Sequence, residues 1–353
     1  MQKTILYAVL NWGLGHATRS IPIIRYLNDQ GHRVILVSDG IALDLLTKEF
    51  PDQTIVATNS YAVSYASNAA TFNIELALQI PKFMRAIKEE QSHCKALCEQ
   101  YGVDYIISDN RYGFYHKTIP SAFICHQLHL LYPGNRLIEK IVNKSYQGYL
   151  NKFSQLWVPD INPPNNLSGQ MSDLGWENVH YIGIESRFKH QAQAVKYDSI
   201  SILSGPEPQR TRLEEELLKK LHELDGKHCL VRGREEVDWK ENQDIHVVHL
   251  ASSELLNQLI NESALVICRA GYTSVMDLIK LQKSAIIIPT PGQAEQEYLA
   301  SSLADKEWFQ QSTQGELILE VDTKFEAPDL DTGYHFEIIR QFLSSSVSLE
   351  SDL

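Results

Sequence analysis

Thr4 to Leu10 (TILYAVL) is a continuous apolar run, followed at once by the turn Asn11-Trp12-Gly13-Leu14-Gly15 and then by Ile21, Ile24 and Leu27 at helical spacing. Gly31 ends that helix, and Val34-Ile35-Leu36-Val37 opens a second apolar run. A strand apolar along its whole length belongs in a parallel sheet covered on both faces. Strand, glycine turn, helix and strand in this order predict a Rossmann-type opening. The turn is not the dinucleotide fingerprint, because Gly13-Leu14-Gly15-His16-Ala17-Thr18 lacks the third glycine.

The alternation continues along the chain. Residues 58–80 read as a loop, 81–101 as a helix, and 105–108 and 121–125 as strands. The proline-rich stretch 161–166 reads as a linker. Beyond it the pattern restarts, with strands at 199–203, 228–231, 245–249, 264–268 and 284–288 and helices between them. The expected fold is α/β, with two Rossmann-like domains over 1–160 and 161–330 facing across a cleft. A C-terminal helix and polar tail occupy 331–353.

Charge and cysteine usage narrow the partners. A formal net charge of −12 argues against nucleic acid. No apolar stretch reaches membrane-spanning length, and Met1-Gln2-Lys3 leads straight into the first strand, so no signal peptide is expected. Five scattered cysteines suit a reducing cytoplasm. His93, Cys94 and Cys98 lack the further ligands of a tetrahedral zinc set, so no metal is expected. Residues 128–157 run against the overall charge, with Arg136, Lys140, Lys144 and Lys152 against Glu139. That helix is either a peripheral contact with an anionic membrane or lipid-phosphate acceptor, or a core helix with a solvated basic face.

Ligands of open α/β sheets bind beyond the carboxyl ends of strands. Three such ends in the first half carry His16, Asp109 and His126. In the second half, Arg269-Ala270-Gly271-Tyr272-Thr273-Ser274 turns a strand into a helix, whose first N–H groups suit an anion. The next strand ends in Pro289-Thr290-Pro291-Gly292, and Gln293, Gln296 and Glu297 follow at a helix start.

The stretch CRAGYTSVMDLIKLQKSAIIIPTPGQAEQEY resembles the C-terminal signature of glycosyltransferase family 28, which includes the transferase adding N-acetylglucosamine to the peptidoglycan lipid precursor. His249-Leu250-Ala251-Ser252, the GLGHATRS loop and Cys125-His126-Gln127 resemble further motifs of that family, in the same order. The resemblance implies the GT-B architecture and a UDP-sugar donor. It places uracil near Leu250 and Ala251, ribose on Asp277, and the sugar on Gln296 and Glu297. Gly13, Gly15 and His126 fall on the acceptor side. Two departures stand out. Ser204-Gly205-Pro206-Glu207-Pro208 replaces a glycine- and serine-rich phosphate loop, and Glu297 stands where the family has glutamine. Each proline removes an N–H donor, so Arg210, Arg232 or Arg234 is expected to carry phosphate charge.

The expected reaction is inverting transfer from a UDP-sugar co-substrate, without metal or cofactor, to an unidentified acceptor that is lipid-linked or a cell-envelope glycan. His16 is the expected general base, with Asp109 as the alternative base or the orienter of a histidine. A UDP-sugar epimerase and a non-catalytic nucleotide-sugar-binding protein are the competing readings. The Asp329-Leu330-Asp331 triplet lies in an expected loop and reads as chance.

Overall fold

The structure, a computed structural model, describes residues 2–12, 14–61, 80–132, 136–184, 186–234 and 245–344. Gly13 and most of the expected 58–80 loop lie outside them. The chain divides into two compact units.

In unit 1 the described strands are β1 (Thr4–Val9), β2 (Arg33–Ser38), β3 (Thr54–Ala57), β4 (Tyr105–Asp109), β5 (Ser121–Ile124), β6 (Gln155–Val158) and β7 (Val179–Tyr181). They form one sheet in the order β3-β2-β1-β4-β5-β6-β7, parallel throughout. The helices are α1 (Gly15–Asp29), α2 (Gly40–Glu49), α3 (Ile80–Tyr101) and α4 (Arg136–Leu150). Alternate β1 residues face opposite layers: Ile5, Tyr7 and Val9 pack with Ile21, Ile24 and Leu27, while Leu6 and Ala8 pack with Cys94 and Leu97. Each fully buried Ile, Leu or Val among them contributes about 1.5–3 kcal/mol. The strand order reverses between β1 and β4, so their carboxyl ends diverge and leave room for a ligand.

Unit 1 does not stop at 160. It continues to Glu185 and resumes at Gly333. The expected linker is instead tied down by Asp160, a fully buried carboxylate that accepts from the N–H groups of Ile161, Leu167 and Ser168 at 2.8–2.9 Å. The C-terminal helix, Phe336–Ser344, also belongs here: Ile339 and Phe342 enter the core beside Trp157 and Tyr105. Tyr334 Oη donates to the Arg19 carbonyl at 2.9 Å, pinning α1 from the far end of the chain.

The apolar residues of helix α4 divide between core and solvent. Asn143, Tyr146 and Leu150 are buried, whereas Leu137, Ile138, Ile141 and Val142 are exposed.

Unit 2, described over Ser186–Thr332, contains β8 (Tyr197–Ile202), β9 (His228–Val231), β10 (Ile245–Val248), β11 (Ser263–Arg269), β12 (Ser284–Ile288) and β13 (Gln310–Gln311). The described sheet runs β10-β9-β8-β11-β12-β13, again parallel, with its order reversing between β8 and β11. Helices α5 (Gln209–Glu223), α6 (Ser253–Asn261), α7 (Tyr272–Leu281) and α8 (Ala294–Asp305) connect the strands. The buried face of α5 carries Leu213, Leu217 and Leu221, as its spacing predicts. No described helix is long and apolar enough to cross a membrane.

Candidate active site

In unit 1 the reversal point carries a buried charge cluster. Asp109, the last residue of β4, is fully buried and faces the first turns of α1. His16 Nδ1 lies 2.7 Å from Asp109 Oδ1. Arg19 donates to both carboxylate oxygens, its Nε at 2.8 Å from Oδ2, and Ser20 Oγ donates to Oδ2 at 2.9 Å. A carboxylate so placed needs a donor from the imidazole, so Nδ1 carries the proton and Nε2 keeps its lone pair. Arg19 also approaches His16 Nδ1 at 2.8 Å, because both groups converge on one oxygen. The His16 side chain is 12% exposed, enough to meet a ligand at its outer edge.

Electrostatics separate the two expected bases. Burial opposes ionisation of Asp109, but Arg19 and His16 outweigh it and hold its carboxyl well below the usual carboxylate range. With its oxygens occupied by three side chains, Asp109 is an orienting group rather than a base. Burial, then the Arg19 charge, push His16 below its ordinary 6.5, with Asp109 opposing. The imidazole is therefore neutral at neutral pH. His126, buried at the end of β5, comes within 3.4 Å of Arg19 through its Nδ1, and Gly15 is the first residue of α1. Gly13 lies outside the described residues.

In unit 2 two of the arginines expected to meet phosphate are paired with carboxylates. Arg210 donates to Glu207 at 2.6 Å and Glu214 at 3.0 Å, and Arg232 donates to the other oxygen of Glu214. Glu214 is itself buried and bridges the two guanidinium groups, and with Glu207 it balances their charge where they sit. Glu207 is drawn toward Arg210 and also caps Thr211 N at 3.1 Å, which turns its charge to the start of α5.

Arg269, the last residue of β11, has no carboxylate among its hydrogen-bond partners in the described residues. It is 1% exposed, and its terminal nitrogens donate to neutral acceptors: Pro289 O at 3.2 Å, Gln209 O at 2.9 Å and Gln314 Oε1 at 2.7 Å. Its Nε has no hydrogen-bond partner among the described residues. Nor has Thr290 Oγ1, which is buried after β12. Both atoms border Gly205, whose φ of +99° suits glycine, and a Cβ there would stand 3.7 Å from Thr290 Oγ1 and 3.9 Å from Arg269 Nε. Beside them, Gly271 caps α7 without a side-chain acceptor for its first N–H groups. Two buried donors left unpaired beneath a glycine, next to a helix N-terminus, form a cradle for an anion. Burial lowers Arg269 to about 10, with Glu216 opposing, so it remains a cation at neutral pH.

The remaining expected donor residues gather near the same strand ends. Tyr272 is buried at the α7 start, and Thr273 and Ser274 are half-buried beside it. Asp277 is half-buried, accepts from Ser186 Oγ, and is pushed by burial up to about 7, against that bond and Arg187. Gln296 Oε1 accepts from Thr290 N at 2.9 Å, its Nε2 donates to Gln293 Oε1 at 2.6 Å, and Glu297 Oε1 accepts from Gly292 N at 2.8 Å. These side chains brace the 290–293 turn, so they engage a sugar only by exchanging those bonds. Leu250 is exposed and Ala251 half-buried after β10.

Arg19, Ser20, Arg269 and Thr290 are additional members of these clusters. Arg269 lies inside the quoted motif, but only its missing counter-charge distinguishes it from Arg210 and Arg232, and pairing of that kind is a tertiary fact.

Residues 210–321 match the glycosyltransferase family 28 C-terminal domain, and residues 3–122 match glycosyl transferase family 1. No curated protein sequence matches the chain. Among solved structures, the glycotransferase of kitacinnamycin aligns with TM-score 0.62 and 14% identity over 89% of this chain and 87% of its own. Acinetobacter baumannii MurG aligns with TM-score 0.56 and 15% identity over 89% and 87%. The spinosyn rhamnosyltransferase SpnG complexed with thymidine diphosphate aligns with TM-score 0.56 and 14% identity over 88% and 86%. Residues 210–321 thus resemble the family 28 C-terminal domain, and the two parallel sheets, with the solved structures they match, show the GT-B fold.

Proposed function

We propose that the protein transfers a sugar, with inversion, from a UDP-sugar to an acceptor hydroxyl. The observation that carries the reading is the His16–Asp109 pair, which holds a neutral imidazole by its Nδ1 in the first turn of α1. His16 Nε2 takes the acceptor hydroxyl proton as that oxygen attacks the anomeric carbon. The carbon–oxygen bond to the β-phosphate breaks, and its electron pair leaves with UDP.

Unit 2 holds the donor. The diphosphate occupies the cradle of Gly205, Arg269 and Thr290 at the start of α7, where fixed donors meet the charge that grows on the leaving group. Asp277 accepts from the ribose hydroxyls, Leu250 and Ala251 flank the base, and Gln293, Gln296 and Glu297 face the sugar. With Arg269 supplying the positive charge, turnover is expected to survive chelators.

The test is UDP release across a panel of UDP-sugars, with and without candidate acceptor hydroxyls, for the wild type and His16→Ala. Acceptor-dependent release by the wild type alone supports the reading. Interconversion of the donor sugar without an acceptor shows an epimerase instead. Thermal stability unmoved by any UDP-sugar removes the donor-site assignment.

A further inference from the structure

Ser186 opens the described part of unit 2, is buried, and donates its hydroxyl to Asp277 Oδ1 on α7. The same Oγ accepts from Phe188 N at 3.0 Å. With the amide on the oxygen's lone pair, the hydroxyl proton is directed at the carboxyl.

The residues that follow Ser186 are fastened to α6, and that helix is spaced for it. Ser253, Asn257 and Asn261 recur every four residues, so they share one face. Arg187 Nη1 donates to Ser253 Oγ at 2.9 Å, Lys189 N to Asn257 Oδ1 at 2.9 Å, and Gln191 N to Asn261 Oδ1 at 2.9 Å. Asn261 Nδ2 returns a bond to Lys189 O at 3.0 Å. Phe188 is buried in the same stretch, with the Arg187 guanidinium 4.8 Å from its ring centre. The Ser186 hydroxyl therefore reaches Asp277 from a backbone held along its length. Leu250 and Ala251 lead straight into Ser252, the cap of α6. One segment thus ties the helix that follows Leu250 and Ala251 to the acid on α7.

We propose that Ser186 is a positioning residue of the nucleotide site, holding the Asp277 carboxylate where both ribose hydroxyls reach it. The role rests on the proposed placing of the ribose on Asp277. A carboxyl group turns about its single bond, and a ligand that must first orient it gives up binding energy to do so. Ser186 sets the orientation before the nucleotide arrives. A carboxylate offers about four lone-pair sites, so one bond from Ser186 leaves acceptors for two ribose hydroxyls. The segment also favours the ionised form, since burial raises the Asp277 pKa while the Ser186 bond and the Arg187 charge oppose it.

The experiment is isothermal titration of the full chain with UDP and with dideoxyuridine diphosphate, which keeps base and phosphates but lacks both ribose hydroxyls. The wild type, Ser186→Ala, Asp277→Ala and the double variant are compared, each with its thermal melt. The wild type is expected to prefer UDP. Ser186→Ala should weaken UDP about threefold to tenfold, the worth of one hydrogen bond, and leave the dideoxy compound within about twofold. The double variant should bind UDP no more weakly than Asp277→Ala, because Ser186 acts only through that carboxylate. If Ser186→Ala weakened both nucleotides alike, or weakened UDP as much with Asp277 already removed, Ser186 would serve the fold alone and the proposal would fall. A wild type that binds the two nucleotides equally would instead withdraw the ribose from Asp277, and the proposal with it. A wild type that binds neither would remove the donor site itself.

Discussion

Asp109 Oδ1 accepts from His16 Nδ1 at 2.7 Å while Arg19 holds the same carboxylate from the other side. One acid therefore fixes the tautomer of the imidazole and neutralises a buried guanidinium. The first effect belongs to chemistry and the second to stability, and substitutions separate them.

On the proposed reading, His16→Ala removes only the base. We expect kcat to fall about 10²–10⁴-fold, the usual contribution of a general base, with UDP affinity unchanged. Asp109→Asn should lower kcat comparably and also cost about 3–5 kcal/mol of stability, because it strands the buried Arg19 charge. Steady-state kinetics and urea denaturation of both variants check this. An Asp109→Asn protein as stable as wild type would show that the Arg19 pair is not what holds α1 to β4.

The same cluster sets a pH dependence. His16 must be neutral to accept a proton, and its pKa lies below 6.5, so activity should be flat at neutral pH and fall only on acidification past that value. Stability moves the same way. The unfolded histidine protonates first as pH drops through 6.5, and the depressed Asp109 pKa means that stability present above 3.8 is lost below it. A kcat/KM profile with its acid limb above pH 6.5 would contradict the assignment.

Much of the frame was legible in the residues. Buried parallel strands such as TILYAVL and SAIII cannot be mistaken, because both faces must be apolar, and every expected strand of the two sheets is found. What escaped was short or long-range. β7 has three half-buried residues and no pattern of its own, and it exists because Asp160 folds the preceding proline-rich stretch back onto unit 1. Helix α4 showed its spacing but not its orientation, since an apolar stripe reads alike whether it faces core or solvent. At the site, His16 and Asp109 could be named from strand ends, but not Arg19, which lies ninety residues before Asp109 and is buried against its carboxylate.

Among the arginines, pairing predicts importance. Arg210→Met should change UDP affinity less than about threefold, because Glu207 and Glu214 already neutralise that side chain. Glu214→Gln should instead destabilise the fold by about 3–5 kcal/mol, leaving Arg232 buried without a counter-charge while Arg210 keeps Glu207. Isothermal titration with UDP and denaturant melts distinguish the two effects.

The unpaired atoms behave in the opposite way. Thr290→Val removes a buried hydroxyl that has no partner, so stability should hold or rise, while UDP binding weakens by about 0.5–1.5 kcal/mol, the worth of one hydrogen bond. Arg269→Met should lose more, about 1.5–3 kcal/mol, as befits a bond to a charged group. Uridine, which lacks phosphate, should bind wild type and both variants alike. A Thr290→Val protein with unchanged UDP affinity would leave the cradle without a ligand.

Asp277 offers the most direct pH reading of the donor site. Burial raises it from 3.8 to about 7, so near neutrality the free protein is a mixture of acid and carboxylate. Because the raised pKa means that the folded state holds a proton the unfolded chain gives up, stability from this group is present below 3.8 and is lost as pH rises toward 7. Ribose hydroxyls are donors, and the carboxylate accepts from two of them where the protonated acid competes as a donor itself. UDP affinity should therefore strengthen between pH 6 and pH 8, by about tenfold for each pH unit at most. Asp277→Asn should bind UDP more weakly at pH 8, show no such rise, and be relatively more stable there than wild type. Binding that is equally pH-dependent in the variant would place the titrating group elsewhere and release Asp277 from the ribose.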